Sequence, residues 1–172
     1  IECSVGKTEP DLYLITIGDG KYQQSEYDLK YAAKDAQDML STFSNNSVYK
    51  NVYSKSLIDE EVTKDNVLAL RSFLEAADIN DVVMVFIAGH GVFDANLNYY
   101  FATHDIDFEH PEKKGLAYEE IEGLLDGIAP LKKTLLIDAC HSGEIDKDEV
   151  LLTSNHAEEQ GDIQFRAVGK LA

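Results

Sequence analysis

Val82-Val83-Met84-Val85-Phe86-Ile87-Ala88-Gly89-His90-Gly91 is an apolar run that stops at a histidine between two glycines. Leu135-Leu136-Ile137-Asp138-Ala139-Cys140-His141-Ser142-Gly143 repeats the pattern with a cysteine in the polar cluster. Runs of this length, containing Val and Ile and halted by Gly, read as strands buried on both faces, as in a parallel sheet. Ligands of open α/β sheets bind beyond the carboxyl ends of the strands. A His leaving one strand and a Cys leaving another both face that crevice, and the pair reads as a thiol nucleophile with its base. Glycines on both sides of His90 let backbone approach a substrate and leave the N–H of Gly91 free to donate, and Gly143 closes the second cluster in the same way. A solitary buried cysteine is commonly inert packing, so the weight lies on the combination.

Outward from these runs the chain alternates. Residues 12–17 are an apolar strand stopped by Gly18-Asp19-Gly20. Between 28 and 43, Leu29, Ala32, Ala33, Ala36, Met39, Leu40 and Phe43 fall on one stripe at helical spacing. A short strand is expected over 51–57, then a helix capped by Thr63 that buries Val67, Leu70, Phe73, Leu74 and Ala77. Asn96-Leu97-Asn98 before Tyr99-Tyr100-Phe101 reads as a turn into a small edge strand or hairpin arm. Ile121, Leu124, Leu125 and Ile128 mark a third helix, ended near Pro130, and residues 134–138 the last clear strand. Four main strands alternating with helices imply an α/β fold on a mainly parallel sheet with right-handed crossovers. Residues 1–143 read as the core, and 144–172 as a mobile acidic tail.

The 172 residues suit one domain able to bury about two thirds of its unfolded surface. Two cysteines, Cys3 and Cys140, suit a reducing compartment, and a cytoplasmic location is expected. The formal net charge of −17 argues against nucleic acid and anionic membrane surfaces as partners. It would favour approach of a basic peptide, although a solvated acidic surface that keeps the protein soluble is the commoner explanation. No run approaches the roughly 18 apolar residues of a membrane span, and no signal-peptide pattern opens the chain. The first residue is Ile1, which reads as an internal or processed piece.

At this point the sequence resembles the caspase-like cysteine peptidases, closer to their metacaspase and bacterial branches than to animal caspases. The resemblance rests on Gly89-His90-Gly91, on Asp138-Ala139-Cys140-His141-Ser142-Gly143, and on the helix stretch 29–39 with Lys34-Asp35-Ala36. The 50 residues between His90 and Cys140 match the caspase spacing. Animal caspases carry Gln-Ala-Cys where this chain has Asp138-Ala139-Cys140.

The resemblance implies a three-layer α/β/α fold, with the chain as its large subunit or catalytic core and the small-subunit strands absent or on a separate piece. It implies that the Cys140 thiolate attacks the peptide carbonyl, that His90 protonates the leaving amine, and that the N–H groups of Gly91 and Cys140 hold the oxyanion. Asp35 and Asp138 would line the pocket for the residue before the scissile bond. Two buried carboxylates repel unless a cation sits between them, so that residue is expected to be Arg or Lys. The implied partners are a protein or peptide substrate with such a residue and the small subunit or remainder of the same precursor. Arg166 and Lys170, in the tail, are candidate self-processing sites. His141 neighbours Cys140 but is expected to point elsewhere, since adjacent strand residues face opposite ways.

Other signals are weaker. Asp94, Asn96 and Asn98 open like a calcium loop, but Tyr99 stands where Gly is required. Metacaspases often need Ca2+ at another acidic site, for which Asp105, Asp107, Glu119, Glu120, Asp146 and Asp148 could supply oxygens, although no motif fixes which. No cofactor is otherwise required. His104, Asp105 and His110 lie in a polar loop without a second pair at metal-ligand spacing. Two other readings compete with the peptidase. One is a catalytically silent relative used as a scaffold or binding module. The other is an unrelated flavodoxin-like or nucleotide-binding domain, which wants a phosphate-cradling turn running straight into a helix, whereas Gly18-Asp19-Gly20 runs into polar loop.

Overall fold

A computed structural model describes residues 9–44 and 47–141, the last two by backbone alone. Three long strands set its frame: β1 (Leu12–Gly18), β2 (Val52–Ile58) and β3 (Val82–Phe93). β1 lies between β2 and β3, parallel to both, with Leu12 opposite Val52 and Val82. On the other side of β3, β6 (Lys132–His141) runs parallel to it over ten paired positions, from Val82↔Lys132 to Gly91↔His141. β4 (Tyr99–Phe101) and β5 (Leu116–Ala117) complete a six-stranded sheet as a short antiparallel extension of β3. Four main strands and a small edge strand at Tyr99-Tyr100-Phe101 were expected; β4 is that small strand, and β5 is the additional one. β5 has two residues, too few for any periodicity to announce it.

Both faces of the sheet's centre are covered, which is why β1, β3 and the middle of β6 are mostly apolar without alternation, whereas the edge strand β2 is partly exposed. One face packs α1 (Ala32–Ser44) through Ala32 and Ala36 against Phe86 and Ala88, with Leu136 and Met39 at the margin. The other holds the larger core: Ile15, Ile17, Val83, Val85, Ile87 and Leu135 meet Val67, Leu70 and Leu74 of α2 (Lys64–Ala69) and α3 (Arg71–Leu74). Ile121 of α4 (Tyr118–Gly123), followed by Leu124, Leu125 and Ile128, closes that layer. Thr63 caps α2 as expected, its hydroxyl accepting the Asn66 N–H at 3.3 Å, a contact of a kind that contributes about 1 kcal/mol. At α4 the Glu120 carboxylate accepts the Ala117 N–H at 2.9 Å. Arg71 ties the two helical segments together by donating to the Gly123 carbonyl.

Among the boundaries that differ from the sequence reading, two bear on the site. The first helix begins at Ala32 and not at 28, because Asp28 is drawn into the preceding loop, where its carboxylate accepts the Tyr22 N–H at 3.0 Å and meets Lys21 at 2.7 Å. β3 does not stop at Ala88. Where β1 ends, opposite Ala88, β4 takes over the vacated side of β3, so the backbone stays extended through Gly89, His90 and Gly91. Among the described residues no helix is long and apolar enough to cross a membrane.

Candidate active site

His90 and Cys140 are register partners on adjacent parallel strands. Neighbouring strands run about 4.8 Å apart, so the two positions are brought together at the end of the sheet where β1 and β2 have finished. Gly18↔Ala88↔Asp138 is the last row that β1 shares with β3 and β6, and His90↔Cys140 lies two residues beyond it. The sequence expectation that both motifs reach the carboxyl end of the sheet holds, although they remain in strand.

The imidazole of His90 is half-buried in an aromatic setting. Tyr22 lies 5.3 Å from it between ring centres, Phe108 5.9 Å and Tyr27 6.5 Å, and Tyr27 stacks on Phe108 at 3.7 Å. Nε2 is 2.8 Å from the Tyr27 carbonyl oxygen. A carbonyl accepts and cannot donate, so Nε2 carries the hydrogen and, in the neutral ring, the lone pair is on Nδ1. Burial lowers the imidazole's pKa below the ordinary histidine value, and the Tyr27 carbonyl pulls weakly the other way. A ring kept neutral, with one nitrogen fixed as donor and the other left basic, is suited to accept a proton.

The flanking glycines have a packing reason of their own. A Cβ on Gly89 would come within 2.8 Å of the Phe101 ring, and one on Gly91 within 2.6 Å of the Tyr99 ring. They admit aromatic side chains from β4. The Gly91 N–H is not turned to open space. The His90 N–H is bound to the Tyr22 hydroxyl and its C=O to Ala102 N–H, both away from β6. Successive residues of a strand direct these groups to opposite sides, so the Gly91 N–H is directed at β6, inside the paired register with Cys140 and His141.

The two carboxylates expected in the substrate pocket are less buried than supposed. Asp35 is half-buried in the first turn of α1, and Asp138 is exposed. Asp138 follows the apolar run, but β6 pairs with β3 alone among the described strands, and the cover that α1 gives Leu136 does not extend to it. Both belong to the same layer, since Asp138 shares its row with Ala88, which packs under α1.

Asp19 was read as part of a turn and is the fully buried carboxyl of this region. Its Oδ1 accepts the Lys21 N–H at 3.2 Å, and Oδ2 has no partner among the described residues. Burial pushes its pKa up to about 8, opposed by the Lys21 N–H and reinforced by Asp59, Asp28 and Glu60.

The acidic loops are otherwise engaged. Asp94 accepts the N–H groups of Asn96 and Asn98, each at 2.8 Å, and closes the β3–β4 hairpin. Asp105 meets Lys114 at 2.6 Å, Asp107 meets Lys113 at 3.4 Å, and Glu120 meets Lys64 at 2.8 Å. His104 bonds through Nδ1 to the Lys21 carbonyl, and His110 lies 3.4 Å from Glu112. Among the described residues no three His, Cys, Asp or Glu side chains are gathered as metal ligands would be. Cys3, Gly143, Asp146, Asp148, Arg166 and Lys170 lie outside the described residues, as does the whole of the expected tail from 144 to 172.

A family model described as the caspase domain matches residues 13–167, most of the chain. The crystal structure of a Geobacter sulfurreducens protein superposes with a TM-score of 0.62 at 20% sequence identity, covering 78% of this chain and 52% of that one. The likeness is one of fold, and the chain spans about half the length of that structure. No curated protein matches the chain.

Proposed function

The chain belongs to the caspase-domain family of cysteine peptidases, and from that premise we propose that it is an endopeptidase cleaving after Arg or Lys, with Cys140 as nucleophile and His90 as base. The observation that carries the reading is the register match of His90 and Cys140 beside an imidazole whose Nε2–H is tied to the Tyr27 carbonyl. With Nε2 so occupied, Nδ1 takes the Cys140 proton as sulfur bonds to the scissile carbonyl carbon. As the C–N bond breaks, the imidazolium returns that proton to the leaving amine and a thioester remains. Neutral His90 then takes a proton from water as its oxygen bonds to the thioester carbon; the C–S bond breaks and the imidazolium returns the proton to the Cys140 sulfur.

Gly91 and Cys140 are the proposed oxyanion donors. Their N–H groups serve the oxyanion only when the top rung of the β3–β6 pair gives way, so substrate binding is expected to be coupled to opening at Gly91↔His141. Asp35 and Asp138 are the proposed acidic groups for the basic side chain. They are supported by their common layer, where two carboxylates would suit the cationic head of an Arg or Lys. The implied partners are proteins with Arg or Lys at the cleaved bond and the remainder of the precursor that supplies the small subunit. Self-processing at Arg166 or Lys170 belongs to the same reading. Calcium stays an experimental variable.

The test is hydrolysis of matched fluorogenic peptides ending in Arg, Lys or Asp, with and without Ca2+, by the complete protein and by Cys140→Ala. Cleavage after Arg or Lys that vanishes in the variant is expected, together with a new N-terminus after Arg166 or Lys170 in the wild type alone. Cleavage after Asp, or cleavage that survives Cys140→Ala, overturns the assignment.

A further inference from the structure

On the side of β3 that faces β1, the hydrogen-bonding ladder has a gap at one place, and it falls at His90. The Ala88 carbonyl takes the Asp19 N–H at 3.0 Å, just past the end of β1, and the His90 carbonyl takes the Ala102 N–H at 2.9 Å, just past the end of the antiparallel β4. The N–H of His90 lies between these bonds, too far along for β1 and too early for β4. The hydroxyl of Tyr22 fills the gap, accepting from the His90 N–H at 3.1 Å and donating to the Asp19 carbonyl at 3.1 Å. Tyr22 is 4% exposed, and its ring packs against the imidazole at 35° and edge-on to Phe108 at 5.4 Å.

We propose that Tyr22 is a positioning residue for His90: its hydroxyl replaces the missing strand rung and its ring braces the imidazole. One side chain thereby fixes both the backbone height and the ring orientation of the proposed base. The loop that carries Tyr22 is built for the task. The Asp19 carboxylate turns the chain through the Lys21 N–H, and Asp28 holds the Tyr22 N–H, so the phenol returns to the strand its own segment has just left. A phenylalanine keeps the ring and removes the hydroxyl, leaving a buried N–H and a buried carbonyl unpaired. The inference rests on His90 as base for its catalytic consequence but not for its structural one.

The experiment uses the full chain and two readouts. In the wild type, amide hydrogen exchange at His90 is expected to be slow, comparable to that at Ala88 and Val92, and fast exchange there overturns the tether without any variant being made. In Tyr22→Phe, exchange at His90 is expected to rise at least about tenfold while Ala88 stays protected. Peptide hydrolysis is expected to lose about tenfold in kcat with KM unchanged, because a misplaced base affects the chemical step and not substrate binding. Tyr53→Phe, on the exposed side of β2, serves as the control for loss of a tyrosine hydroxyl. A folded Tyr22→Phe protein with wild-type exchange and wild-type kcat overturns the proposal. Absence of any peptide cleavage counts against the peptidase reading instead, and the exchange measurement still decides the tether.

Discussion

His90 and Cys140 stand on one rung of the same strand pair, yet the two ends of that rung are held in different ways. At the β3 end the side chain is specified from every side: Nε2 by the Tyr27 carbonyl, the backbone N–H by Tyr22, the carbonyl by Ala102, and the ring by Tyr22, Tyr27 and Phe108. At the β6 end the position follows from strand register, and two residues earlier Asp138 is already exposed. β3 is flanked on both sides, by β1 then β4 and by β6, whereas β6 is an edge among the described strands. The lesson is that the proposed base is preorganised by packing and the proposed nucleophile is delivered by a strand end. Substitutions at the two ends should therefore fail differently.

The sharpest way to break the comparison is to exchange the base. His90→Ala is expected to lower kcat/KM by roughly 10²–10⁴-fold, the usual worth of a positioned general base, while His141→Ala stays near wild type. Burst kinetics with an Arg ester would separate loss of acylation from loss of binding. Equal damage from His141→Ala would move the base to β6 and end the assignment of roles to the two strands.

How far the sequence carried this reading can be seen residue by residue. The apolar runs disclosed β1, β3 and β6, because burial on both faces leaves an unmistakable composition, and their polar ends pointed to His90 and Cys140 as candidates, whereas β2 is a partly exposed edge strand with no such run. Tyr22, Tyr27 and Phe108 were not legible as parts of the site. Tyr27 acts through a carbonyl, which every residue has, and Tyr22 and Phe108 reach His90 across separations of 68 and 18 positions that no local period encodes. Gly89 and Gly91 have a packing cause that was not legible, since the rings that require them come from Phe101 and Tyr99 on a short strand. Asp19 looked like a turn residue between glycines, and its burial is visible only once β2's end, with Asp59, closes over it.

A second, smaller effect tests the β6 end. If Asp35 and Asp138 share a basic substrate side chain, Asp35→Asn and Asp138→Asn should each raise KM for Arg peptides by about 10- to 100-fold with little change in kcat. Half-buried Asp35 acts through a lower dielectric than exposed Asp138, so its loss should be the larger and the less sensitive to salt. A double-mutant cycle in which the two losses simply add would mean that the carboxylates do not meet one cation.

The finest test returns to the β3 end and asks whether the aromatic cover sets the proton affinity of the base. Burial is the larger influence on His90 and lowers its pKa, so the ring stays neutral below the pH at which an exposed histidine would be half protonated. Two consequences share that sign. The acid limb of kcat/KM should lie below about 6.5, the ordinary histidine value. His90's contribution to stability should be present above that value and fade as pH falls through the imidazole's own lowered pKa. Phe108→Ala uncovers one side of the ring and releases the stack on Tyr27, so the acid limb should move upward by less than about one pH unit, toward the exposed value. A downward move would mean instead that losing the Tyr27 carbonyl outweighs rehydration, making that hydrogen bond the main control on the base and the aromatic wall secondary.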